Sequence, residues 1–166
     1  MELLLVIALL AVVAAVGAPQ FFRTSANAIA DAKLERFKRS YATIRAAVAT
    51  QIHMATDTEM LINATSNGPV SDPDSRISKL VSSGYLDLAS TQIENAKGEG
   101  LAMSLFDAGT TGIDTTLPAN NQKLLRMHVR VLHSSLAANF DIDDFIRTGP
   151  GKTLEEAWAT VRDLTP

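Results

Sequence analysis

The chain contains no cysteine. That excludes a disulfide framework, a thiolate nucleophile, a haem attached through Cys-x-x-Cys-His and any zinc set completed by sulfur. The absence fits a reducing cytoplasm and equally an exported domain that manages without covalent staples, so compartment must be read from other features. Aromatic residues are 5% of the chain. Phe21, Phe22, Phe37 and Tyr41 follow one another toward the N-terminus, and packing at helical spacing accounts for them better than a stacked conducting path. Neither proline nor glycine occurs from residue 20 to residue 67, so nothing in that stretch breaks a helix. Residues 3–22, LLLVIALLAVVAAVGAPQFF, carry one polar side chain, Gln20.

What is present is unevenly distributed. The 166 residues suit one globular domain, and the formal charge is −3. Residues 23–56 hold Arg23, Lys33, Arg36, Lys38, Arg39 and Arg45 against Asp31 and Glu35, a balance of +4, while residues 57–166 balance at −6. A neutral apolar end, a basic stem and an acidic remainder therefore follow one another. Such asymmetry marks either an electrostatic interface or a solvated helix face beside an acidic surface.

An apolar run of about 20 residues is long enough to cross a bilayer as a helix. A cleaved signal peptide would need a basic start and an apolar core of about 7–15 residues, and nothing basic precedes this run. A permanent membrane anchor is the second reading; the basic stem would then face the cytoplasm. A buried core helix is disfavoured by the length. Ala8, Ala11, Ala15 and Ala18 form a stripe of small side chains that allows helix backbones to approach closely. Gly17 and Pro19 lie near the end of the run, and Pro19 removes the hydrogen bond to the Ala15 carbonyl. A freed carbonyl within hydrocarbon is tolerated where neighbouring protein satisfies it. Glu2 places a carboxylate at the helix start, where the macrodipole favours it, although in a low-dielectric interior it would require a cationic partner.

Met1-Glu2 followed by LLLVIALLAVVAAVGAPQFF resembles the N-terminus of type IV pilins and of the related pseudopilins of type II secretion. In that family an acid opens the apolar run and a proline follows seventeen residues later, the separation of Glu2 and Pro19. The resemblance extends through SYATIRAAVATQIHMAT to about residue 56, with a weaker echo in SKLVSSGYLDL at 78–88. It implies a structural subunit, not an enzyme, without cofactor or metal. Its partners would be copies of itself in a helical homopolymer, the inner membrane before assembly and the pilus assembly machinery, with no sequence-specific nucleic acid binding. Such a subunit moves from the inner membrane to an extracellular filament serving adhesion, motility, DNA uptake or secretion. Glu2, Ala8, Ala11, Ala15, Gly17, Ala18 and Pro19 would be assembly residues, with Glu2 meeting a neighbour's N-terminal amine. Family members have three more residues before the glutamate, beginning with a methylated phenylalanine, whereas Met1 directly precedes Glu2 here. The expectation is that the sequence starts three residues late or that its N-terminus is unusual. Ala11 stands where many pilins have glycine. Major pseudopilins carry a Trp-Gly-Pro-Tyr-like segment and a calcium loop, and neither is found, so a pseudopilin is the alternative. A single-pass membrane-anchored binding protein is the alternative from another class.

The stem stripe Ala30, Leu34, Phe37, Tyr41, Ile44, Val48, Ile52 and Ala55 steps by three and four, with charged residues on the other side. Run and stem together can form one helix of about 54 residues, roughly 80 Å long. The expected organisation is an apolar core helix at 1–22, its amphipathic continuation at 23–56 and a globular head at 57–166. In the head, SNGPVSDPDS at 66–75 is a loop, Ser75 caps a short helix that ends at Gly84, and residues 89–123 read as turns with short pieces. Residues 124–132 fit two templates. Leu125, Met127, Val129 and Val131 alternate as on a strand, while Leu125, Val129, Leu132, Leu136 and Phe140 share a helical face that Pro118 could open. Thr153-Leu154-Glu155-Glu156 is a capping box ahead of the stripe Leu154, Ala157, Trp158, Val161 and Leu164. The fold class is therefore α+β and helix-rich, with a sheet implied by the family and an all-α head as the alternative.

Candidate chemistries are weak. GPGKT at 149–153 lacks the glycine of a phosphate-binding loop, since Ile146 stands there. Asp141, Asp143 and Asp144 lack the further ligands of a calcium loop and read as solvated acids at a helix start. His53, His128 and His133 have no ligand spacing, and Asn63-Ala64-Thr65 matches the glycosylation pattern, which also arises by chance. Arg36, Lys38 and Arg39 are expected to meet the acidic heads of neighbouring subunits.

Overall fold

A computed structural model describes residues 2–54, 59–132, 139–149 and 151–164. Its longest element is α1, Glu2–Met54, a single helix of 53 residues with no break assigned at Gly17 or Pro19. Side chains on α1 are described from Ser25 onward. The remaining chain builds a small head around the C-terminal half of this spine. In order it contains α2 (Glu59–Ile62), α3 (Arg76–Ser82), a 3-10 turn at Leu88–Thr91, β1 (Gln92–Glu94), β2 (Gly100–Asp107), α4 (Ala119–Arg126), β3 (Met127–Leu132), β4 (Phe140–Asp141), α5 (Ile142–Thr148) and α6 (Leu154–Val161). The fold is α+β: a long helical spine with a four-stranded antiparallel sheet, order β1-β2-β3-β4. The all-α head is thereby excluded.

The sheet sits on the spine because its alternation matches the stem stripe. Leu101, Met103 and Leu105 of β2 and Met127, Val129 and Val131 of β3 project into one core with Phe37, Ile44, Val48 and Ile52. The register pairs Met103 with Val131 and Leu105 with Val129, so successive apolar pairs face α1. Trp158 of α6 stacks on Phe37 with ring centroids 5.4 Å apart. Of the stem stripe, Leu34 and Tyr41 pack at the core margin, Ala30 is exposed, and Ala55 lies outside the described residues.

The sequence-level expectations fare unevenly in the head. Ser75 does cap α3, accepting a hydrogen bond from the Ser78 amide. The capping box at Thr153 forms in both directions with Glu156. At 124–132 the strand alternation of Met127, Val129 and Val131 holds on β3, and the helical face through Val129, Leu132 and Phe140 is corrected, since these lie on strands; Pro118 does open a helix, α4, but it ends at Arg126. The reading of 89–123 as turns is corrected by β2, an eight-residue strand at the centre of the head.

Candidate functional site

The sequence points to α1 as the functional element. The side chains of Glu2, Ala8, Ala11, Ala15, Gly17, Ala18 and Pro19 lie outside the described residues. Among the described residues no helix is long and apolar enough to cross a membrane, a statement that does not reach the run at 3–22.

From Ser25 the spine can be followed side chain by side chain. Residues 26–32, ANAIADA, are all exposed, with Ile29 58% accessible. The head takes hold at Lys33, whose Nζ donates to the carbonyls of Asn95 (2.9 Å) and Ala96 (3.0 Å). Below it, Arg36 pairs with Glu94 at 3.5 Å. Lys38 pairs with Glu155 at 2.6 Å and with Glu35 at 3.2 Å. Through that ammonium, Glu155 is held down to about 2, and Lys38 is raised by the same hydrogen bonds. Arg45 lies 3.8 Å from Asp143 and donates to the carbonyls of Leu124 and Met127.

Of the two readings of the basic stem, an electrostatic interface or a solvated face, these contacts favour the first, within the chain itself. Lys33, Arg36, Lys38 and Arg45 are turned to the acids and carbonyls of their own head. The basic stem and acidic head complement each other within one chain, and among the described residues Arg39 is the stem cation left exposed without an ion pair. Arg39 and Arg36 line a groove of about 590 Å³ between α1 and the 3-10 turn, with Glu35 and Asp87 on its walls.

The acids at the start of α5 are misread as solvated. Asp141 caps α5 by accepting from the Asp144 amide at 3.0 Å, and its second oxygen lies 2.8 Å from Nδ1 of His128. Asp143 accepts from the Tyr41 hydroxyl at 2.8 Å and from the Val129 amide at 2.6 Å. It thereby ties sheet, α5 and spine together. Burial, then the adjoining carboxylate of Asp143, pushes the Tyr41 hydroxyl upward. Only Asp144 behaves as a surface acid, paired with Arg147 at 2.8 Å. No group of acids or histidines among the described residues has the geometry of a metal site.

His128 is buried on β3, its ring edge-on to Phe106 with centroids 5.6 Å apart. The hydrogen bond that its ring donates to Asp141 raises its pKa against the opposing effect of burial. His53 is exposed, and His133 lies outside the described residues. Asn63 of the glycosylation triplet is exposed after α2. Lys152 of the GPGKT segment donates its amide to the Gly149 carbonyl in the turn ahead of α6, and its Nζ stands over the Phe145 ring at 4.4 Å.

Sequence reasoning named the stem cations but not their partners. Glu94, Asp143 and Glu155 are brought to them by β1, α5 and α6, and no local spacing announces such pairings. No family model matches the chain, and neither a curated protein nor a solved structure matches it.

Proposed function

We propose that this chain is the structural subunit of a type IV pilus-like filament, a major pilin that polymerises through its N-terminal helix. The observation that carries the reading is the division of α1. One helix runs from Glu2 to Met54; its side chains at 26–32 are exposed, the core of the head begins at Phe37, and the helix starts in an apolar run of twenty residues. A run of that length and apolarity calls for cover away from water. Lipid supplies cover before assembly, and sister helices supply it afterwards through apolar burial and close contact of the Ala8, Ala11, Ala15 and Ala18 stripe. The heads then form the outer surface, and the subunit passes from inner membrane to extracellular fibre without catalysing a reaction.

Glu2 distinguishes a filament helix from a plain anchor. A carboxylate near an apolar core costs free energy, about 2.5–3.5 kcal/mol for an acid at a helix centre and less near an end. A cation from a neighbouring subunit offsets that cost in a filament. In cells producing only Glu2→Ala, the subunit is expected to enter the membrane at normal levels while sheared surface fibres seen by electron microscopy fall to a small fraction of wild type. Wild-type fibres in that variant would overturn the role of Glu2. The absence of fibres containing this chain in wild-type cells would favour the membrane-anchored binding protein instead.

A further inference from the structure

The loop at 66–68 is pinned to the sheet by two side chains. The Ser104 hydroxyl of β2 donates to the Asn67 or Gly68 carbonyl, 2.6 and 2.7 Å away, and Nη2 of Arg130 on β3 donates to the Asn67 carbonyl at 2.7 Å. The side chain of Asn67 is exposed at the surface, and glycine follows it. In an Asn-Gly pair the backbone nitrogen of the glycine and the carboxamide carbon of the asparagine are separated by a few bonds of one residue. Rotation within that residue closes a five-membered ring between them, and glycine puts no side chain in the way.

The surroundings of this pair supply the rest of the chemistry. The Gly68 amide donates to Oγ of Ser66 at 3.0 Å, and Ser66 donates its own hydroxyl to Oδ2 of Asp72. The donors run in one direction, from amide to hydroxyl to carboxylate, the order that a proton leaving the amide requires. A Cβ at Gly68 would lie 2.7 Å from Oδ2 of Asp72 and 3.2 Å from Oγ of Ser66, so the pair of oxygens approaches this closely only because the residue is glycine. At the electrophile, Nη1 of Arg76 donates to Oδ1 of Asn67. Arg76 is 6% exposed and is fixed by the carbonyls of Ser66 at 3.5 Å and Ile62 at 3.2 Å. It is a preset positive group at the oxygen where negative charge would develop.

We propose that Asn67-Gly68 is a self-modifying site, at which the folded chain converts Asn67 to aspartate or isoaspartate with Ser66 and Asp72 as proton relay and Arg76 as oxyanion stabiliser. The Gly68 nitrogen forms a bond to Cγ of Asn67 while its proton passes to Ser66 and the Ser66 hydroxyl proton passes to Asp72. Charge gathers on Oδ1 beside Arg76. The Cγ–Nδ2 bond breaks, the proton returns through Ser66 to the departing nitrogen, and ammonia leaves. Solvent water then opens the succinimide at one of its two carbonyls. Opening at the side-chain carbonyl gives aspartate, with its carboxylate beside Arg76. Opening at the main-chain carbonyl gives isoaspartate, with its carboxylate at the oxygen that Ser104 and Arg130 hold. Either product adds one negative charge where an arginine already stands. The site is independent of the filament reading.

Peptide mapping by mass spectrometry, on the full chain kept in neutral detergent solution, follows the fraction of Asn67 converted with time. A synthetic peptide of residues 63–71 carries the same Asn-Gly pair without Asp72 or Arg76. The folded chain should convert Asn67 at least about tenfold faster than the peptide, a conservative share of the about 10²–10⁴-fold that a positioned acid or base contributes. Asn63 and Asn95, each followed by alanine, should stay intact meanwhile. Asp72→Asn keeps an oxygen for the Ser66 hydroxyl but removes the base, and should bring the rate down to that of the peptide. A folded chain no faster than the peptide overturns the site, because the loop would then only shield an ordinary Asn-Gly bond. A folded Asp72→Asn chain that reacts as fast as wild type overturns the relay. Should Asp72→Asn fail to fold, the comparison of wild type with the peptide decides alone.

Discussion

Residues 26–32 and 37–52 belong to one helix and both draw on alanine, isoleucine and scattered charge, yet their environments are opposite. In ANAIADA every residue is exposed, whereas Phe37, Ile44, Val48 and Ile52 are 0–1% accessible. Helix propensity cannot separate them, since both segments are helical. What separates them is cover. Phe37, Ile44, Val48 and Ile52 join one core with side chains of β2 and β3, whereas none of residues 26–32 belongs to that core. The lower half of α1 is thus an ordinary core helix of a small domain. The upper half makes sense as an element whose partner lies outside the chain. Every experiment below removes or exchanges cover on one side of that boundary.

The largest change is deletion of residues 1–22. If the upper half needs an external partner and the lower half does not, the shortened chain should be soluble and folded, with α1 from about Ser25 still attached to the head. Sedimentation should give a monomer, and circular dichroism a cooperative melt. An aggregated or unfolded product would mean that the head depends on the apolar run, and the two halves would no longer be separable.

Cutting the core on the covered side comes next. Phe37 is fully buried against Trp158, and Phe37→Ala leaves a cavity between α1 and α6. The expected loss is about 3–5 kcal/mol, read by urea unfolding of the shortened chain through the fluorescence of Trp158, the single tryptophan. Ile29→Ala, on the uncovered half, should change that stability by no more than about 0.5 kcal/mol. A comparable loss at Ile29 would place the boundary elsewhere.

These two halves were not equally legible in the sequence. The spine was, because a stripe at steps of three and four over more than twenty residues has no strand-like reading. The caps at Ser75 and Thr153 were legible for the same local reason: each is a side chain bonding an amide three residues on. The centre of the head was not. β2 opens on Gly100, and its alternation is blurred because Ser104 is buried like its apolar neighbours, held by carbonyls of a loop some 36 residues away. At 124–132 the alternation was the true signal and the apparent helical face through Val129, Leu132 and Phe140 was accidental, since helix gives way to strand between Arg126 and Met127. The pairs Arg36–Glu94, Lys38–Glu155 and Tyr41–Asp143 join residues 58 or more positions apart. Such pairings exist only once β1, α5 and α6 have packed against the spine.

A smaller effect tests how the head is tied together. His128 has a raised pKa because Asp141 hydrogen bonds to its ring. A group whose folded-state pKa lies above its unfolded value contributes stability that is fully present below the unfolded value, about 6.5, and is lost as pH rises through the folded value. Urea midpoints of the shortened chain should therefore fall as pH rises from 6 through the titration of His128, beyond what other groups cause. Asp141→Asn keeps a side-chain oxygen for the Asp144 amide but removes the charge, and the fall should flatten. An unchanged slope in that variant would assign the pH dependence to another group.

The smallest expected effect on stability, and the sharpest test of the boundary, concerns the stem cations. Arg36 and Lys38 meet Glu94 and Glu155 of their own head, while Arg39 projects beside them into the groove next to Asp87 without an ion pair among the described residues. If the +4 stem served only to dock its own head, Arg39 would be surplus. If it also met acidic heads of neighbouring subunits, Arg39 is the cation still available. Exposed pairs are worth about 0.2–1 kcal/mol each and are screened by salt, but a filament repeats the contact at every subunit. Arg36→Glu faces Glu94 with a like charge and should cost the head a few tenths of a kcal/mol or more. Arg39→Glu should leave the urea midpoint of the shortened chain within error and still lower the yield of sheared fibres, less so at high salt. Normal fibre yield in Arg39→Glu would confine the stem charges to docking the head of their own chain, and the cover of the upper spine would then rest on apolar contact alone.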